Sequence, residues 1–270
     1  MVPRVDLGRS GCQLVAEMNQ DLTKLLQSWP YQVGQVMARR FKGRDGLQKI
    51  QLRVDLGVLQ MNAEGRPDGK RPMGHESWFD FYQTRLAEHL LAKGAPEGFS
   101  LGPEECAKLQ QECIQFHHRY ICLFQLEDFE SVERDAERNL EVFEFVAEHA
   151  GTEDLAWSLL QFVPQLLLMR TRARGMATLK GGVFEHAVGH IQEGISELER
   201  FYTENERLDL MEASPELGSL REWLGQVRNR RPLSEKEKLE KDLAEAIRME
   251  DYERAAKVRD QIRKLQASES

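Results

Sequence analysis

The side chains best suited to chemistry crowd into one stretch, residues 39–76. Asp45, Asp55, Glu64, Asp68, His75 and Glu76 are the residue types that gather a divalent cation or form an acid–base pair. Four candidates, Arg66, Asp68, His75 and Glu76, lie on the loop 62–77, where glycines, prolines and charges pack together as they do in loops that hold ligands. No two of them stand at a diagnostic spacing, so a solvated loop is the competing reading. Just upstream, Arg39, Arg40, Lys42 and Arg44 surround Phe41. That cationic cluster suits a phosphate or an acidic partner; a charged strand end is the plainer alternative.

The histidines and cysteines add no site. His117 and His118 are adjacent and would point about 100° apart on a helix, so they cannot easily share a metal. His186 and His190 stand at i,i+4, but the His-Glu-x-x-His pattern is absent and one helical turn supplies two ligands at most. Cys12, Cys106, Cys113 and Cys122 form no Cys-x-x-Cys; Cys106 and Cys113 read as small buried hydrophobes on one helix face. No glycine-rich phosphate loop or nucleophile elbow occurs. The expectation is a non-enzymatic protein, with no catalytic residue, metal or cofactor.

Around these residues the chain reads as mainly α (α+β). Apolar content of 41% with 30% charged residues is ordinary for a helix-rich globular protein. A net charge of −8 argues against a dedicated nucleic-acid binder. The first thirty residues lack a basic segment followed by an apolar core, and no apolar run approaches a membrane span, so the expected location is cytoplasmic, with no membrane partner.

Four regions follow. Residues 1–13 show no period and read as a tail. Residues 14–77 read as a small α/β element, with a helix over 14–28 stopped by Trp29-Pro30, strands over 32–40 and 48–61, and a turn at 42–46. Leu52, Val54, Leu56 and Val58 alternate with polar residues, predicting one buried face and an antiparallel hairpin, with room for a third short strand. Residues 78–232 are helical, with Pro103 and Ser214-Pro215 as starts and 94–98 and Gly181-Gly182 as breaks. Turns before Phe129 and Phe184 are each followed, three residues on, by Val132 or Ala187. This pattern resembles degenerate tetratricopeptide (TPR) hairpins, whose aromatic and small residue seal paired helices; an extra helix over 152–162 intervenes.

The last region, 233–270, reads as two short helices folded back on each other. Leu239, Leu243, Ala246 and Ile247 form one stripe, and Ala255, Val258, Ile262 and Leu265 another, on either side of Met249-Glu250-Asp251. Tyr252, Ala256, Arg259 and Arg263 fall about 110° from the second stripe. The run Glu250-Asp251-Tyr252-Glu253-Arg254-Ala255-Ala256-Lys257-Val258-Arg259-Asp260-Gln261-Ile262 closely resembles the UVR motif, the helical hairpin shared by UvrB, UvrC, McsA and some Clp-family ATPases. The resemblance implies a protein-binding role for Tyr252, Ala255, Ala256, Arg259, Asp260 and Arg263, usually toward another such hairpin. The cysteine pairs of McsA and the helicase and nuclease parts of UvrB and UvrC have no counterpart here, so their activities are not implied.

Size supports the same expectation independently, since a unit below about 40 residues without disulfide or metal rarely buries enough surface to stand alone. The expected function is that of an adaptor binding a protein partner through the hairpin, a second copy included, with the helical body holding another protein. A repair accessory acting on nucleic acid through Arg39–Arg44 is the second reading, and an enzyme built on the loop the third.

Overall fold

A computed structural model describes residues 21–230 and 235–268. The expected tail, the start of the first helix and the hinge at Arg231-Pro232 lie outside the described residues. Within them, helix α1 (Thr23–Ser28) ends at Trp29-Pro30 and buries no residue. A three-stranded antiparallel meander follows, β1 (Met37–Lys42), β2 (Gln48–Val54) and β3 (Gly57–Asn62), in the order β1-β2-β3.

The single strand expected over 48–61 is two strands. Val54 pairs with Gly57 across a two-residue turn, and Leu56, placed on the buried face by alternation, is 89% exposed at its tip. The reversal is held by Arg53, a buried side chain whose Nη1 donates to the carbonyls of Val54, Asp55 and Gly57 and whose Nε donates to Trp29 O. Ile50 and Met61, with Ala38 and Leu52, meet the core on the sheet face toward the helices. The other face carries a polar ladder, Arg39 to Gln51 at 2.8 Å and Gln51 to Gln60 at 3.0 Å. Strand β1 begins at Met37, five residues later than the alternation suggests.

The helices follow their stop and start signals closely. They are α2 (Trp78–Lys93), α3 (Pro103–Gln125), α4 (Phe129–His149), α5 (Glu153–Leu160), α6 (Val163–Lys180), α7 (Phe184–Glu204), α8 (Leu208–Glu212), α9 (Pro215–Arg230), α10 (Glu235–Arg248) and α11 (Tyr252–Ser268). Ser77, Asp128, Thr152 and Ser214 each accept a backbone N–H of the following helix, satisfying donors that the first turn leaves open. α3 packs on α4, α4 on α6, α6 on α7, and α7 on α9, so the body is a stack of helical hairpins with the sheet laid against α3. Val132 and Ala187, three places after Phe129 and Phe184, are fully buried.

Two close approaches fix the stack. A Cβ on Gly194 would lie 2.1 Å from Thr171 Oγ1, and one on Gly175 would lie 2.4 Å from the Trp223 ring. Gly194→Ala is therefore expected to destabilise the body by about 1–3 kcal/mol through overpacking. Urea unfolding of this variant alone and with Thr171→Gly checks the cause, because the second substitution removes the clashing atoms and recovers part of the loss.

Candidate functional site

The hairpin is built from a narrow seam. Ala246, Ala255 and Val258 are buried, and Leu239, Leu243, Ile262 and Leu265 are half-buried beside them, so small residues near the turn let α10 and α11 approach closely. Arg254 reaches back to Asp242 at 3.9 Å, and Glu253 holds Lys257 at 2.8 Å. Ala255 thus lies inside the hairpin. Tyr252, Ala256, Arg259, Asp260 and Arg263 are exposed and make up its outer surface.

The connection between the helices is specified by its chemistry. Glu250 takes φ 55°, a left-handed conformation that ends α10. Asp251 N–H then donates to Ala246 O at 2.9 Å and Glu250 N–H to Ile247 O at 3.0 Å, closing the open carbonyls. Asp251 Oδ1 accepts Arg254 N–H at 3.0 Å and starts α11. This turn brings Ile247, Met249 and Tyr252 to one end of the hairpin, exposed by 55%, 69% and 72%. Ile247 corrects the expected stripe: at 100° per residue it falls about 80° from Leu239, at the stripe's margin.

The body contains the same turn. Glu127 takes φ 57°, Asp128 N–H donates to Leu123 O at 3.0 Å, Asp128 Oδ1 accepts Ser131 N–H at 3.3 Å, and an aromatic, Phe129, opens α4. There the aromatic is buried to 6% exposure and meets Phe124 edge-on at 5.4 Å. Its counterpart Tyr252 stands in solvent.

The loop 62–77 disperses its expected ligands. Arg66 points inward to Glu112 at 3.2 Å and Asp68 at 3.3 Å, and Asp68 also accepts from Gln115. His75 packs edge-on against Phe81, while Glu76 pairs with Arg71. Asp45 and Asp55 occupy opposite ends of β2, about 20 Å apart at the rise of a strand. The charges that sequence reasoning missed hold this loop to the helices. Arg119 and Asp135, both buried, form a two-pronged pair at 2.6 and 2.8 Å, and Arg119 also donates to Asn62 O and Gly65 O. Buried Glu112 receives Arg66, Arg138 and the backbone of Trp78.

The basic cluster is divided as well. Arg39 lies over the Trp29 ring at 4.2 Å on one sheet face, and Arg40 on the other pairs with Asp128 of the α3–α4 turn. Lys42 and Arg44 are exposed at the strand end. His117 shares a hydrogen bond of 2.6 Å with Tyr120 OH, and burial, then the neighbouring His118, lowers its pKa. Burial pushes the Cys106 thiol up to about 11 and those of Cys113 and Cys122 to about 12, so all three stay protonated at neutral pH. Among the described residues no three His, Cys, Asp or Glu side chains gather as a metal site, and no helix is long and apolar enough to cross a membrane.

What stands out from these surfaces is a polar two-helix unit, capped at its turn and carrying an apolar tip. Residues 234–268 match the family model for the UvrB/uvrC motif, so the chain carries a UVR hairpin at its C-terminal end. No curated protein and no solved structure matches the chain.

Proposed function

We propose that this protein is a non-enzymatic adaptor whose UVR hairpin docks onto another protein. The observation that supports this reading best is the end of the hairpin, where Ile247, Met249 and Tyr252 lie exposed, with Ala256, Arg259 and Arg263 continuing from Tyr252 along one exposed face of α11. Aromatic and arginine side chains around a small residue are the mixture enriched at interface centres. The UVR family match supports a protein-binding role in the same place. The stacked helical hairpins of the body offer a second binding surface of the kind that TPR-like arrays provide.

Self-association is the simplest form of this docking. Light scattering on the full chain and on a chain ending at Pro232 tests it: a dimer that becomes a monomer on truncation supports the proposal. Tyr252→Ala in the full chain is expected to cost about 2 kcal/mol or more of association, roughly thirtyfold in Kd. Two monomers would remove self-association. A pull-down comparing wild type with Tyr252→Ala would then have to find a foreign partner lost with the tyrosine.

A further inference from the structure

A cleft of about 430 Å³ opens where the turns before α4 and α7 lie side by side. Its walls are Phe129 from the start of α4, Met176 and Leu179 from α6, Phe184 from the start of α7, and Trp223 and Val227 from α9. Phe129 and Phe184 are the aromatics that open the second helix of each body hairpin. Both meet at the cleft, and Tyr252 opens α11 after the same left-handed Glu and capping Asp that precede Phe129. Exposed Met176, with half-buried Phe184 and Trp223 above a floor of buried Phe129, offers apolar surface of the kind left uncovered on Ile247, Met249 and Tyr252.

Charge agrees with this match. Glu127 and Lys180 on the rim pair with each other at 2.8 Å, which leaves Arg230, with Arg228 in the same last turn of α9, as the cations facing the opening. The tip of the hairpin carries Glu250, Asp251 and Glu253. Around the turn, from residue 245 to 254, the hairpin has four carboxylates, Glu245, Glu250, Asp251 and Glu253, against Arg248 and Arg254, so the end that would enter the cleft is net acidic.

Covalent reach decides which copy supplies the tip. Arg230 is itself a wall residue, and the link from it to Glu235 spans at most about 18 Å. α10 then carries the tip about 21 Å further. A chain could return its own tip to the cleft only with the link drawn out to near its limit and α10 doubled back beside it. A second copy meets no such demand, and two copies that exchange hairpins make the same contact twice about a twofold axis.

We propose that the hairpin tip formed by Ile247, Met249 and Tyr252 seats in the Phe129–Met176–Trp223 cleft of a second copy of this chain, giving a dimer by reciprocal exchange. The inference rests on the docking role of the hairpin and adds the identity of the surface it docks on.

The test uses the full chain with Cys12 replaced by Ser, carrying Met176→Cys and Tyr252→Cys singly and together. The remaining cysteines are buried and protonated, so they do not compete. Under mild oxidation the double variant is expected to run as a disulfide-linked dimer on non-reducing gels, and neither single variant is. Met176→Glu, at an exposed position, is expected to weaken the dimer at least tenfold in Kd with the circular dichroism spectrum unchanged.

Cross-linking of Tyr252→Cys alone would show tip meeting tip, which overturns the exchange while leaving hairpin docking intact. A disulfide within one chain of the double variant overturns it in favour of the chain's own tip. A dimer that neither cross-links in the double variant nor responds to Met176→Glu overturns it too. A full chain that is monomeric throughout removes both the exchange and the self-association beneath it.

Discussion

Asp135→Ala is expected to destabilise the protein by about 3–5 kcal/mol, although the residue touches no proposed docking surface. The side chains of Arg119 and Asp135 are 2% and 1% exposed, and both carboxylate oxygens accept from the same guanidinium. Removing Asp135 leaves that guanidinium buried with the carbonyls of Asn62 and Gly65 and the face of Phe116, a cation without a counter-charge. Arg134, which also reaches Asp135 but is 43% exposed, pairs with a still more exposed Glu64, and Arg134→Ala is expected to cost within about 1 kcal/mol. Urea unfolding of the two variants gives the contrast. Replacing the pair by apolar side chains, Arg119→Met with Asp135→Leu, is expected to recover most of the loss, because desolvating two charges offsets much of their attraction. A loss near 1 kcal/mol for Asp135→Ala would mean that water reaches the pair.

The buried charges also mark the boundary of what was readable beforehand. Helix limits were legible because their signals are local: Ser77 and Gly94 bracket α2, and Asp128 opens α4. The hairpin was legible because its turn, seam and pairing all fall within thirty-odd residues. Glu112, Arg119, Asp135 and Asn139 enter none of the expectations drawn from the sequence, yet they sit in register with buried neighbours. Leu109, Cys113, Phe116 and Leu123 flank the first two, and Val132, Ala136 and Val142 the others. A charged residue at a stripe position is a visible signal; its partner is not, since Arg119 and Asp135 are on different helices. The sheet reversal failed for a different reason. Asp55-Leu56-Gly57 continues the alternation while the guanidinium of Arg53 bends it, and a bend held by a side chain leaves no mark on the period. The apolar tip was half-read: Tyr252 was placed on the outer face, but the exposure of Ile247 and Met249 follows only from where the turn ends α10.

At the other end of the body, Glu112 of α3 ties together the loop 62–77, the start of α2 and α4. Its side chain is fully buried, accepting the N–H of Trp78 at 2.8 Å and facing guanidinium groups from the loop, Arg66, and from α4, Arg138. A carboxylate aimed at the first turn of α2 also meets the positive end of that helix. Glu112→Ala leaves Arg138 without a carboxylate, leaves Arg66 only Asp68, and frees the N–H groups of Trp78 and Phe79, so a loss of about 3–5 kcal/mol is expected, about 6–20 °C in melting temperature for a chain of this size. Glu112→Gln separates shape from charge. The amide oxygen can still accept from Trp78, but its NH₂ is forced toward a guanidinium, so at least half of the loss is expected to remain. Hydrogen exchange should quicken first at α2 and the loop 62–77, ahead of α6 and α7, because those are the segments Glu112 joins to the stack. If Glu112→Gln melts with the wild type, the carboxylate charge contributes nothing, and the loop is held by packing alone.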